Sequence, residues 1–263
     1  MDLRTAVAAA AVAALCWHLP ASADECTQAG AAIETDRPDV TNSSVVVPTG
    51  SLQNENGVNL TRRGGAGIVD GSNSRWRLGV APCFEVLVDL PNYQGVFHGA
   101  GPSGFGDVAP AVKWQVSPVP GKVDLSVTAG AGLPTGAVAV AGRGLRPYLQ
   151  FPWSVEIGGG WSVTGMSTNF FAPDDPLNRW TGEQTLVLEH AFGEHAFLFV
   201  EYVGDFPLLG GPSHLVNSGG GWRITDTQQI DFHGGFGVNH NAPDYVFGIG
   251  YSFRIDGLFR PRS

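Results

Sequence analysis

Residues 33–44, IETDRPDVTNSS, gather Glu34, Asp36, Arg37 and Asp39 around Pro38, immediately ahead of an apolar VVVP. Fixed charges of both signs at this density do not suit a core strand. They suit ion pairing with opposite charges elsewhere, or the lining of a passage where a charged ring sets which polar groups enter. Enzyme chemistry finds less support. His190 and His195 sit on a strand end and past a turn, and His233 and His240 straddle a strand and a loop, so neither pair has the spacing of a closed zinc set. There is no G-x-S-x-G, and GAGPSG and GAGLPTG lack the lysine and helix of a phosphate loop. The enzymatic alternative is an outer-membrane hydrolase of phospholipase type, in which a serine and a histidine on a barrel wall attack lipid esters. His190, Ser126 and Ser218 are available for it, but nothing in the sequence pairs them. No catalytic set, metal or cofactor is expected.

The compartment follows from the first residues. Arg4, the run AVAAAAVAALCWHL and the PASA before Asp24 make the charged start, apolar middle and A-x-A-like end of a secretory signal over residues 1–23. Cys16 leaves with it, and Cys26 and Cys83 remain in an oxidising compartment, free either to pair or to stay as two thiols. The 263 residues show no composition break and read as a single domain. With 15 Lys and Arg and a net charge of −9, the chain lacks the basic clusters that a nucleic-acid partner needs. Beyond the leader no apolar run approaches the ~20 residues of a membrane helix, so any entry into a membrane must be made by strands.

The rest of the chain alternates with period two. In DVAPAVKWQV, Val108, Pro110, Val112, Trp114 and Val116 share one face, while Asp107, Ala109, Ala111, Lys113 and Gln115 share the other. VDLSVTAGAGL, FEVLVDL and DYVFGIGYSF repeat the pattern. Twelve strands are expected near 51–62, 74–81, 83–90, 105–116, 122–133, 146–156, 161–170, 182–192, 195–204, 214–224, 227–238 and 244–254. Short connections (APC, SPVPGK, IGGG, FGEH, ITDTQ) alternate with mostly longer polar or glycine-rich ones such as PNYQGVFHGAGPSG and APDDPLNRWT. An even strand number with short turns at one end and long loops at the other predicts an all-β, single antiparallel transmembrane barrel. Tryptophans fit two interfacial girdles, with Trp114, Trp153, Trp161 and Trp222 toward the short-turn rim and Trp76 and Trp180 starting strands at the other. Pro110 and Pro152 oppose this reading, because each removes a ladder donor inside an expected strand; local bulges would absorb them. A soluble periplasmic β binding protein is the other all-β solution.

ETDRPDVTNSSVVVPTGSLQNENGV, followed in order by GFGDVAPAVKW, LPTG, FLFVEYVG, QQIDFHGGFGVN and APDYVFGIGYSF, resembles a family of outer-membrane transporters labelled after the meta-pathway of phenol degradation. The resemblance runs from Ile33 to about Phe253 and implies a secreted β-barrel with a role in transport. It establishes no substrate. The chain departs from a common barrel ending by continuing through RIDGLFRPRS, so that either Phe253 or Phe259 is the aromatic read by the barrel-assembly machinery.

With the apolar faces turned to outer-membrane lipid, the opposite parity sends Glu55, Arg75, Arg77, Glu85, Asp89, Lys113, Glu156, Glu183, Glu189 and Asp231 into a lumen where acids outnumber bases. Unpaired Arg or Lys on the lipid face would cost about 2–4 kcal/mol at the midplane. Residues 24–50 are then expected as a plug or a clasp on the periplasmic rim of a barrel spanning 51–254, with 255–263 as a tail. Arg37 would pair with luminal carboxylates, and Asp36 and Asp39 with Lys113 or the arginines. A solvated arm is the alternative, since termini are ordered only when tied down. If Glu201 points inward, Phe197 and Phe199 do too, an aromatic patch that would suit an apolar or aromatic solute. The expected function is a channel for small solutes; a closed barrel stiffened by its own charges is the other outcome.

Overall fold

The computed structural model describes Cys26 and residues 30–116, 123–175 and 179–259. The expected signal peptide, and most of the turn SPVPGK, lie outside the described residues. In chain order the elements are β1 (Leu52–Arg63), β2 (Ala66–Ala81), β3 (Phe84–Asp89), β4 (Tyr93–His98), β5 (Gly104–Phe105), β6 (Ala109–Gln115), β7 (Val123–Gly132), a one-turn helix α1 (Val138–Ala141), β8 (Arg146–Gly158), β9 (Trp161–Phe171), β10 (Trp180–Phe192), β11 (Ala196–Pro207), β12 (Ser213–Thr225), β13 (Gln228–Gly237) and β14 (Tyr245–Ile255). Among the described residues, twelve strands close a ring in the order β1, β2, β3, then β6 to β14, and β14 pairs back onto β1 from Leu52↔Ile255 to Arg62↔Tyr245. Every pairing in the ring is antiparallel. Closure leaves the twelve ring strands without a free edge along the ring.

The expected parity is the observed one. Val86, Val112, Leu186, Leu198, Val200, Phe232 and Ile249 are exposed on the outer wall, whereas Glu85, Lys113, Ser126, Glu201 and Asp231 are buried on the inner one. Short turns need the backbone that glycine supplies: Gly158, Gly159 and Gly160, between β8 and β9, all have φ between 63° and 90°. Aromatic pairs gather at the short-turn rim, with Phe84 on Trp114, Trp161 on His190, and His195 on Trp222.

Three details differ from the sequence reading. β2 begins at Ala66, so Trp76 lies in its second half and does not start a strand at the long-loop rim. Residues 93–98 and 104–105, expected as loop and as the start of the fourth strand, form β4 and β5, a ribbon carried on the first half of β2. The prolines are accommodated without bulges at their own positions. Pro152 faces an interruption in the β7–β8 ladder, where pairing stops at Leu125↔Trp153 and resumes at Thr128↔Gln150, and Pro110 sits at a like gap between the Val108↔Leu133 bridge and Ala111↔Gly130. A register shift between β1 and β2 at Glu55/Gly57 leaves backbone to be satisfied by side chains. Asn54, on the outward parity yet buried, donates to Ser74 Oγ and to the Arg75 carbonyl, both at 3.2 Å, and accepts from Asn56.

Candidate functional site

The N-terminal segment lies inside this barrel. Cys26 is joined by a disulfide to Cys83 at the β2–β3 turn. The Ile33 N–H donates to the Asp226 carbonyl of the β12–β13 turn (2.8 Å), so the chain enters at the short-turn rim. It returns to the same rim, where Thr49 bridges Gly79 of β2 and β1 begins at Leu52. Residues 33–50 are therefore an excursion into the lumen, tied at both ends. The described tail folds beside it: the Leu258 N–H donates to the Gly50 carbonyl (2.8 Å).

One wall meets this excursion with charge. Alternation on β1, β2, β3 and β6 brings Glu55, Arg75, Arg77, Glu85, Asp89 and Lys113 to the inner face. Arg77, with no exposed side-chain surface, pairs with Glu55 (3.1 Å) and Glu85 (3.0 Å). Lys113 lies 3.6 Å from Glu85, and Arg75 pairs with Asp89 at 2.7 Å. Asp36 comes down onto all three cations, 3.0 Å from Arg75, 3.2 Å from Lys113 and 3.4 Å from Arg77. Backbone groups complete the contact. Glu55 accepts from the Asp36 N–H and Glu85 from the Val47 N–H, while Arg77 donates to the Glu34 and Val45 carbonyls. Charges this deeply buried persist only when paired and hydrogen-bonded, and this cluster satisfies both conditions.

The facing wall holds the segment by separate contacts. Glu201 on β11 accepts from the N–H groups of Val40 and Thr41, from the Thr41 hydroxyl and from Asn217. The Thr41 hydroxyl also shares a hydrogen bond with the Thr185 hydroxyl, Asn42 donates to Gln150, and Ser44 shares a hydrogen bond with Ser154. Arg37 crosses to Asp231 on β13 (3.1 Å). Its guanidinium lies over Gly57 of β1 and Gly250 of β14, which are register partners; a Cβ on either would run into it. The two glycines make a notch in the wall that only a residue without a side chain leaves open.

The expected luminal residues are thus all on the inner face, but they do not form one network. Glu55, Arg77, Glu85, Asp89 and Lys113 join through Asp36 and Arg75. Asp231 and Glu201 stand apart on the opposite wall, and Glu156 lines the lumen near the short-turn rim, with no ion pair among the described residues. Asp39 corrects the reading of the plug. It does not meet Lys113 or an arginine, because Asp36 occupies all three cations and Asp39, three residues on, faces the side where Glu189 and Glu201 lie. Phe197 and Phe199 do point inward with Glu201, packed with Val187. Sequence reasoning missed Gly57, Gly250, Gln53, Gln115 and Asn42. Only the inward parity of two glycines in NENGVNL and FGIGYSF carried any signal for the notch.

Two cavities remain beside the segment. One of about 400 Å³ opens toward the short-turn rim and includes Glu34, Asp124, Glu156, Glu189 and Arg223; the other, of about 390 Å³, lies toward the long loops and includes Glu55, Asn73, Arg75, Asp89 and Asp107. Arg37, Asp39 and Asn42 line both. Among the described residues, neither Ser126 nor Ser218 is brought to His190. Ser126 is buried on the inner face of β7, and Ser218 shares the outer face with His190 but lies two strands away, roughly 10 Å at normal strand spacing. Among the described residues no group of three or more His, Cys, Asp and Glu is placed to hold a metal ion.

The fold is that of outer-membrane barrels. The structure is similar to the COG4313 outer membrane channel from Pseudomonas putida F1, with a TM-score of 0.64, 12% identity, and coverage of 84% of this chain and 100% of that one. It is also similar to the NanC porin (TM-score 0.57, 8% identity, 78% and 100% coverage) and to the KdgM porin in complex with disordered oligogalacturonate (0.53, 7%, 77% and 98%). At these identities the likeness is one of fold. No protein with a curated description matches the chain by sequence. Residues 35–255, which take in the luminal segment and the whole barrel, match the model of one family, and the chain belongs to that family, described as "Putative MetA-pathway of phenol degradation".

Proposed function

We propose that the protein is an outer-membrane channel for small solutes whose lumen is closed or narrowed by residues 33–50. The carrying observation is the pair of polar cavities, one toward each rim, separated by a segment that is tied to the wall by side chains and returns to the rim it came from. A barrel stabilised only by its own filling would not need water-sized space on both sides of the filler. The family and the fold of its structural neighbours agree with this reading. In this reading the short-turn rim is periplasmic, the long loops are extracellular, and the outer wall contacts lipid. The solute meets mostly polar groups: of the three residues in the inward apolar patch, only Phe197 lines either of the two luminal cavities. An aromatic or apolar solute would therefore have one ring to stack on, at the periplasmic side.

The test is planar-bilayer recording of the refolded protein without residues 1–23. Discrete, steady conductance steps are expected; a folded, heat-modifiable barrel that passes no current and no neutral solute in proteoliposomes would overturn the channel reading.

A further inference from the structure

The two cavities share three side chains, and only one of them brings an unopposed charge. Arg37 lines both, but its guanidinium is paired with Asp231 at 3.1 Å. Asn42 is neutral and engaged with Gln150 and Arg75. Asp39 lines both cavities, forms no ion pair among the described residues, is hydrogen-bonded by its own backbone N–H, and has the carboxylates of Glu201, Glu189 and Asp36 as its charged neighbours.

The approaches to this crossing carry the same sign. Each cavity is lined by five carboxylates and two arginines. The arginines are spent on partners: Arg223 on Glu34, Arg75 on Asp36 and Asp89, and Arg37 on Asp231. Glu156 and Glu189 at one side, and Asp107 at the other, are left without an ion pair among the described residues. In a path of this width the walls are closer than the Debye length of about 10 Å at 0.1 M salt, so unpaired wall charge is felt across the whole section.

We propose that Asp39 is the selectivity residue of the channel, and that the path passes cations and neutral or cationic small solutes in preference to anions, carboxylates included. This rests on the channel reading above and deepens it. A carboxylated solute would have to pass an unpaired carboxylate with its own charge buried. A cation would find at Asp39 the carboxylate at the crossing that, among the described residues, has no cationic partner.

The experiment is the reversal potential of single channels under a roughly tenfold KCl gradient, for the wild type, Asp39→Asn and Glu194→Gln. Glu194→Gln removes one charge from the exposed β10–β11 turn; Glu194 lines neither cavity and meets Arg223 only through its backbone carbonyl, which the substitution keeps. The expected result is a wild-type K⁺ to Cl⁻ permeability ratio well above one. It should fall at least about twofold in Asp39→Asn, with conductance retained, and stay unchanged in Glu194→Gln. Conductance with a ratio at or below one, or a ratio equal in the wild type and Asp39→Asn, would overturn the inference while leaving the channel reading intact. Absence of current from every variant, with the barrel folded, would overturn both.

Discussion

The two walls that grip the luminal segment do so by different physics. On the β1, β2, β3 and β6 side, seven charged groups compensate one another in a connected cluster, and Asp36 is bound by three cations at once. On the β10–β14 side the grip is one arginine on one aspartate over a glycine notch, and one carboxylate receiving two backbone N–H groups. Removing one member of the first cluster strands several buried charges at once, whereas releasing Arg37 from the second strands Asp231 alone. On the channel reading proposed above, the first wall is the anchored side and the second the releasable one, and opening is expected to begin at Arg37 and Val40 and not at Asp36.

This contrast is open to direct attack. The largest effect is expected for Arg77→Ala, which leaves Glu55 and Glu85 buried without their main cation. It should cost about 3–5 kcal/mol and be read as a loss of heat-modifiable folded barrel. Arg223→Ala, which breaks the partly exposed pair with Glu34 and a 3.4 Å hydrogen bond to the Glu194 carbonyl, should change stability by less than about 1 kcal/mol. Next comes the covalent tie. Cys26→Ser with Cys83→Ser removes a link that closes a sequence separation of 57 residues, and should lower stability by about 2–4 kcal/mol in denaturant titration of the folded barrel, chiefly through the unfolded chain.

The releasable side should respond in function more than in stability. Gly57→Ala fills the notch under Arg37, and overpacking of this kind costs about 1–3 kcal/mol if the segment stays seated. The expected outcome is that Arg37 leaves its seat and single-channel conductance rises with the barrel intact; Asp231→Asn should do the same to a smaller extent. Equal conductance in Gly57→Ala and wild type would mean that the β10–β14 side is not where the segment lets go.

The smallest effect concerns the long loops. Asp174 is held below the usual carboxylate range by the Arg143 and Gly144 N–H groups it accepts, with Arg146 nearby. A depressed folded pKa means that this contact is fully present above the ordinary aspartate pKa and is lost as pH falls through the lower folded value. Exchange protection of the Arg143 and Gly144 amides should accordingly be unchanged down to about pH 4 and fall below it. Protection lost already between about pH 6 and 5 would refute the assignment.

Much of the wall was legible because a strand repeats every two residues: once Val112 faces lipid, Lys113 must face the lumen, and the same logic placed Glu55, Glu85, Asp89 and Asp231. What was not legible depends on closure. Gly57 and Gly250 are far apart in the chain and meet only because β14 pairs with β1, so the seat of Arg37 exists in no local stretch. Asp39 was misassigned because charge balance alone made it a partner for cations that Asp36 had already taken. β4 was hidden by the glycines of PNYQGVFHGAGPSG, although its pairing with the first half of β2 needed no more than backbone.

The central claim is that residues 33–50 set how much of the lumen is open, and the measurement closest to it is single-channel conductance after deletion of residues 24–44 in a Cys83→Ser background. A folded barrel whose conductance rises severalfold over the full mature chain is the predicted result. Unchanged conductance, with folding confirmed by heat-modifiability, would contradict it.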